Sequence, residues 1–233
     1  MNRYQRVFPT KHTVLPVIHV DAPEQAHRNV KVARDAGADG VFLINHGMGD
    51  AALLDIHETV ADANPGWWIG VNCLSLTPDR VFAAVSQKVG GVWVDNARIE
   101  EGSPTQPYAD QVAAVRRSRA LDCLYFGGVA FKYQRDVDDL EAACRIAAQY
   151  MDVITTSGPG TGYAADVVKI RRMKQALGNT PLAIASGITP DNVGDFLPYA
   201  DSFLVATGIS RNFTELDPLK VRALVQRVRS YRH

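Results

Sequence analysis

Eight short apolar runs, each followed by a longer stretch, leave this chain few folds to choose from. The runs are VLPVIHV (14–20), GVFLIN (40–45), WWIGVN (67–72), GVWVDN (91–96), CLYFGGVAF (123–131), DVITT (152–156), LAIAS (182–186) and SFLVATG (202–208). They recur at intervals of about 20–30 residues. Between them, stretches such as EQAHRNVKVARDAG and ADVVKIRRMKQALG place apolar residues three and four apart, the spacing of a helix with one buried face. Near-continuous apolar strands belong to parallel sheets covered on both sides. Eight β-then-α units therefore predict an α/β fold, a (β/α)8 TIM barrel, as a single domain over residues 1–233 with 1–13 as an N-terminal extension. A doubly wound open sheet is the rival. Its first turn would carry a glycine-rich dinucleotide loop, and HVDAPEQ has no glycine.

Composition narrows the function classes. Of 233 residues, 46% are hydrophobic, enough to bury one large core. Acidic and basic residues balance at 25 each, so the chain as a whole has no electrostatic footprint for nucleic acid or an anionic membrane. No apolar run approaches the ~18–20 residues of a transmembrane segment, and the opening MNRYQRVFPTKHT does not read as a signal peptide. Cys73, Cys123 and Cys144 are odd in number and lack metal-like spacing, which predicts reduced thiols in a cytoplasmic protein. No cofactor and no metal are expected, and a homo-oligomer stays open.

In a TIM barrel, chemistry sits at the carboxyl ends of the strands, and a phosphate often binds in the loops after strands seven and eight. Those loops read ASGITPDNV and VATGISRN. Ser186 and Gly187 end the seventh strand, where Gly187 allows a ligand to approach the backbone; Thr189 and Pro190 suit the start of a following helix. Thr207 and Gly208 end the eighth, and Ser210 and Arg211 can add a hydroxyl and a charge. Free backbone N–H groups at helix starts bind anions without a lysine. The sixth loop, TTSGPGTGY, brings Ser157, Gly158, Thr161 and Gly162 beside them. It is neither a P-loop nor G-x-G-x-x-G. It reads as a third wall of the same anion pocket.

Asp39, Asp122, Asp152 and Asp201 each stand just before a strand, hence at the opposite, lower face. They read as turn and stability residues and are excluded from the site.

DVITTSGPGTG, IASGITPDNVGDFLPYADSFLVATGIS and DPLKVRALVQRVR together resemble the BtpA (BtpA/SgcQ) family. The resemblance extends more loosely to His19, Asn45, Asn72, Leu74, Asn96 and Lys132 in the first half. It departs from the family pattern at Ile44, where members carry glutamate, and at Ala185, Ala206 and Ser210. It implies a barrel of the ribulose-phosphate-binding type. It also implies a second reading, since the family name comes from a link to photosystem I assembly.

Several polar residues end apolar strands and should converge on the mouth: His19, Asn45, His46, Asn72, Asp95, Asn96 and Lys132. An acid, imidazoles, amides and an amine suit acid–base work on a phosphorylated sugar-like molecule, as in an isomerase, aldolase or lyase. Here Asp95 is a candidate general base, and Lys132 a candidate enolate or oxyanion stabiliser or a Schiff-base lysine. The amides would bind hydroxyls. Side chains alternate along a strand, so Asp95 and Asn96 cannot both enter the mouth unless the strand ends between them. The expectation is that it ends at Asp95, close enough to Lys132 to lower the carboxyl pKa. The alternatives are a non-catalytic ligand-binding or complex-assembly factor, and a prenyl- or glyceryl-phosphate transferase-like barrel. The last would want an early magnesium-binding acid, for which DAPEQ is a poor match.

Overall fold

A computed structural model describes residues 1–231. Its eight strands are β1 (Thr13–Val20), β2 (Gly40–Asn45), β3 (Trp68–Asn72), β4 (Gly91–Val94), β5 (Leu124–Gly128), β6 (Val153–Thr156), β7 (Leu182–Ala185) and β8 (Ser202–Val205). All pair in parallel with their sequence neighbours, and β8 returns to β1 to close the barrel. Helices α2 (Pro23–Asp35), α3 (Asp50–Ala63), α4 (Pro78–Ala84), α5 (Pro107–Ser118), α6 (Leu140–Ala147), α7 (Val167–Leu177) and α8 (Pro218–Arg229) follow strands one to six and eight.

After β7 the expected helix is reduced to a 3-10 turn at Val193–Asp195. Thr189 still accepts from the N–H groups of Asp191 and Asn192. Gly194 and Pro198 lie in the segment that would have to become helix, and proline removes an N–H from an α-helical ladder.

Residue parity sorts every strand into two faces. Leu15 and Val17, Phe42 and Ile44, Trp93, Leu124 and Phe126, Val153, Ala183 and Ala185, and Leu204 fill the barrel interior. The alternate residues, such as Val14, Ile18, Val41, Leu43, Val92 and Phe203, pack in the larger cluster that includes the helices. Inside, Trp68 takes space that only glycine can leave. A Cβ on Gly91 would stand 2.5 Å from its ring, and one on Gly70 would stand 2.8 Å away.

The N-terminal extension belongs to the barrel. It forms a short helix, α1 (Arg3–Val7), whose Tyr4, with Phe8 just after it, joins the interior cluster. Tyr4 Oη lies 2.8 Å from Thr13 Oγ1 and donates to Asp201 O at 2.9 Å, while Phe8 packs on Trp68 with centroids 5.3 Å apart. The lower end of the barrel is thus filled by the chain itself.

Three of the four aspartates before strands share one function. Asp39 accepts from the Val14 N–H, Asp152 from Tyr125 N–H and Asp201 from Leu182 N–H, each at 2.8 Å. Each hydrogen-bonds the strand before its own, and each also meets a cation: Arg229, Arg116 and Lys174 respectively. Asp122 instead stands 90% exposed, 3.4 Å from Arg3. Asp201→Ala leaves a buried N–H without its acceptor and should destabilise the fold by about 1–3 kcal/mol. Asp122→Ala should change stability by no more than about 0.5 kcal/mol. Equilibrium denaturant unfolding of the two variants checks this order.

Candidate functional site at the barrel mouth

A cavity of about 340 Å³ opens at the carboxyl ends of the strands. That volume lies at the low end of the ~300–1,000 Å³ of small-molecule sites. Its walls include His19, Asp95, Lys132, Thr161, Gly162, Ser186 and Thr207, all singled out by the sequence. Parity explains several of them. His19 follows Leu15 and Val17 on the inward face of β1, and Asp95 follows Gly91 and Trp93 on β4. Strand β4 ends at Val94, one residue earlier than expected, and Asp95 reaches the cavity.

The same parity turns other candidates away. Asn45 follows Leu43, on the helix side. It is 2% exposed, donates to Met48 O and Asp50 Oδ1 at 2.9 and 3.0 Å, and accepts from Leu74 N–H. It joins two loops, where a hydroxyl-binding amide was expected. Asn96 donates to Gln134 Oε1 at 2.7 Å and accepts from Arg98 N–H. It lines a neighbouring side cavity of about 350 Å³, together with Asn72. Asn72 donates to Asp95 Oδ1 at 3.0 Å, so it positions the carboxylate and does not line the mouth.

The glycine-rich loops pack on one another. Ser157 is fully buried: its hydroxyl donates to Gly158 O at 2.9 Å and accepts the Lys132 N–H at 2.8 Å. It fixes the lysine's backbone and does not line the cavity. A Cβ on Gly158 would collide with Tyr163 O, one on Gly187 with Ala164 N, and one on Gly208 with Ile188 O. These glycines admit a neighbouring loop where an approach to ligand was expected. Gly187, at φ +70°, also has a backbone that other residues rarely adopt. Ser210 donates to Ala206 O, and Arg211 pairs with Asp217 at 3.7 Å, so neither adds to the cavity.

What remains on the β5–β8 side is a tight polar edge. Lys132 Nζ donates to Thr161 Oγ1 at 3.3 Å, which leaves the threonine's own proton available. Tyr133, at φ +60°, accepts from Thr161 N–H through its hydroxyl at 3.2 Å. A Cβ on Gly162 would lie 3.9 Å from Thr207 Oγ1. Ser186 holds φ +103°, a costly conformation for a serine, and its hydroxyl is directed to Gly160 O and Tyr163 O at 2.9 and 3.2 Å. The hydroxyls of Thr161 and Thr207 and the Lys132 amine therefore share one edge of the cavity.

Opposite lies a pair of imidazoles. His19 Nδ1 stands 2.9 Å from Phe213 O, so this nitrogen carries the proton and Nε2 is the acceptor of the neutral ring. Its ring lies 4.8 Å from that of His46 and 4.1 Å from Phe213. Burial, and secondarily His46, pushes the His19 pKa down to about 4. Burial lowers His46 as well. Asp95 runs against expectation. Burial raises its pKa, outweighing the Asn72 hydrogen bond and the attraction of Lys132.

Sequence reasoning passed over Phe213, an isolated aromatic in the polar stretch SRNFTE. It also passed over Lys169, whose amine donates to Ala130 O and Ser157 O at 2.6 and 2.9 Å and whose pKa burial lowers to about 8. That lysine ties the ends of β5 and β6 together. Its neighbour Val168 is 51% exposed, so the apolar pattern of VVKI points the wrong way here. Among the described residues, no group of three or more His, Cys, Asp or Glu side chains is placed to hold a metal ion.

Fold and mouth together define a (β/α)8 barrel with one polar and one aromatic wall around its upper cavity. The chain belongs to the BtpA family, whose pattern matches residues 107–230. It is 28% identical over 211 residues to an uncharacterized protein of Thermococcus kodakarensis, covering 81% of this chain and 78% of that one. It is 27% identical over 143 residues to the photosystem I biogenesis protein BtpA of Synechocystis, covering 58% of this chain but only 48% of that protein. Among solved structures, (S)-3-O-geranylgeranylglyceryl phosphate synthase of Thermoplasma acidophilum, in complex with its substrate sn-glycerol-1-phosphate, superimposes with a TM-score of 0.70. The match covers 97% of each chain at 17% identity, which is a likeness of fold. No described helix is long and apolar enough to cross a membrane.

The depressed His19 pKa has a consequence for stability. An unfolded histidine titrates near ~6.5. Between that value and about 4 the unfolded chain binds a proton that folded His19 refuses, so stability falls as pH drops through this window. One such group contributes a slope of at most ~1.4 kcal/mol per pH unit. His19→Gln should flatten the acid limb of the unfolding free energy between those values. In the parent protein the His19 ring resonances should keep neutral-form shifts at pH 5.5; a midpoint near 6.5 would contradict the assignment.

Proposed function

We propose that the mouth cavity binds a phosphorylated small molecule and performs acid–base chemistry on it. The observation that carries this reading is the division of the cavity. Lys132, Thr161 and Thr207 line one edge, while a half-buried Asp95 and a neutral His19 face the same cavity. A dianionic phosphate gains from an ammonium group and hydroxyl donors in one place. Ser186 would join them if its proton left the loop carbonyls for the ligand. Gly187 and Gly208 would serve by letting the three loops close up around the anion. The likeness in fold to a barrel that holds sn-glycerol-1-phosphate supports the phosphate reading by analogy.

In this reading Asp95 is the proton-transfer group. A carboxyl whose pKa burial has raised is a better general base near neutrality than an ordinary one. Asn72 holds one of its oxygens and leaves the other for substrate. His19 Nε2, the acceptor of a neutral ring, accepts a hydrogen bond from a substrate hydroxyl. Lys132 stabilises negative charge that develops on a substrate oxygen. Cys73, Cys123 and Cys144 are buried and unpaired, which fits a protein that works in a reducing compartment. A role in complex assembly, taken from the relative in Synechocystis, would need no such proton-transfer set.

Lys132→Met removes a charged hydrogen-bond donor worth about 1.5–3 kcal/mol. It should weaken binding of inorganic phosphate and ribose 5-phosphate by about 10–100-fold, with the folded circular-dichroism spectrum retained. Isothermal titration reads both affinities. Equal affinities for the parent and the variant would remove Lys132, and with it this phosphate edge, from the site.

A further inference from the structure

Directly beneath the polar rim the barrel presents Val17, Ile44, Trp93, Ala185 and Leu204 to the cavity. Each is more than nine-tenths buried. Their side chains carry no hydroxyl, amide or charge apart from the indole N–H of Trp93. On the side away from Lys132 the walls are rings. Phe213 lies 4.1 Å from His19 and 5.2 Å from His46 between centroids, and it is 55% exposed at the entrance. Neither imidazole carries charge near neutrality, because burial lowers both pKa values.

A polyhydroxylated chain lying on this floor would lose water from its hydroxyls and find at most the one indole N–H of Trp93 in exchange, a net penalty. A flat hydrocarbon or aromatic ring would instead displace water from apolar surface and gain edge or stacking contacts with the rings above it. The polar groups that could receive a ligand's hydrogen bonds are confined to the rim, where phosphate and the first atoms attached to it would sit. With the volume of about 340 Å³, there is room for a phosphate and one ring system, not for a long chain.

We propose that the ligand of this mouth is amphiphilic: a phosphate held at Lys132, Thr161 and Thr207, joined to a planar, hydroxyl-poor moiety that lies over Trp93, Ile44 and Leu204 beneath Phe213. This rests on the phosphate reading above and adds the chemical class of the other half of the molecule. Phe213 is the specificity-determining residue of the entrance.

Calorimetric titration of the full chain with four probes tests it: 2-naphthyl phosphate, 2-naphthol, ribose 5-phosphate and inorganic phosphate. Naphthyl phosphate should bind at least about tenfold more tightly than ribose 5-phosphate, and inorganic phosphate should compete with both. Phe213→Ala should weaken naphthyl phosphate several-fold more than ribose 5-phosphate. Because the Phe213 ring is partly exposed and its hydrogen bond to His19 runs through the backbone carbonyl, this variant removes the ring contact and keeps that bond. Ribose 5-phosphate binding as tightly as naphthyl phosphate would overturn the apolar half of the proposal while leaving the phosphate site standing. Naphthol binding as tightly as naphthyl phosphate, with no competition from inorganic phosphate, would overturn the phosphate reading itself.

Discussion

Residues 13–16 of β1 pair with residues 202–205 of β8, and this ladder brings together segments nearly two hundred positions apart in the chain. In a parallel sheet each strand satisfies its backbone groups only through its neighbours, so the last pairing leaves no edge for water or another chain to complete. Closure also fixes the site. Once β1 and β8 are adjacent, His19, the β8 turn at Thr207 and Phe213 face one opening, and the β5 and β6 loops bring Lys132 and Thr161 to it on the Thr207 side. No pair of these groups is close in sequence except Thr207 and Phe213.

The two ends of the barrel solve different problems. Below, Tyr4 and Phe8 fill the interior, and three aspartates each accept from the preceding strand while paired to a cation. The three carboxylates each have both an N–H and a cation for a partner. Above, the strands end in groups whose bonding is partly local and partly directed at the cavity: a carboxyl with one oxygen held, an imidazole with one nitrogen held, a threonine with its proton to spare. Backbone strain also marks the polar edge. Tyr133 and Ser186, both at positive φ, sit in the loops that form the polar edge.

Much of this was legible in the sequence. Seven of the eight strands fall within the apolar runs and β1 starts one residue before its own, at Thr13, because covered parallel strands need near-continuous apolar residues. The family resemblance rested on loops that do pack together. The site was less legible, for a reason particular residues make plain. Asn45 ends a strand, as a ligand-binding amide should, but counting in twos from Phe42 sends it to the helix side. Asn96 lies two residues past the end of β4, where its bonds with Gln134 and Arg98 decide its place. Ser157 and Gly158 could not have been sorted this way, since they lie beyond the strand, where contacts across loops decide. The sign of the Asp95 shift depends on burial against the pull of Lys132, a balance of magnitudes that no spacing encodes. Lys169 was hidden because its helix turns a lysine inward and a valine outward.

The account stands or falls on where an anion sits. A crystal of the protein soaked in tungstate, a phosphate mimic visible by anomalous scattering, answers this without assuming any substrate. The prediction is a principal peak at the mouth, within hydrogen-bonding distance of Lys132 Nζ and the hydroxyls of Thr161 and Thr207. A principal peak at the lower face instead, among Arg3, Arg116 and Arg117, with the mouth empty, would contradict it.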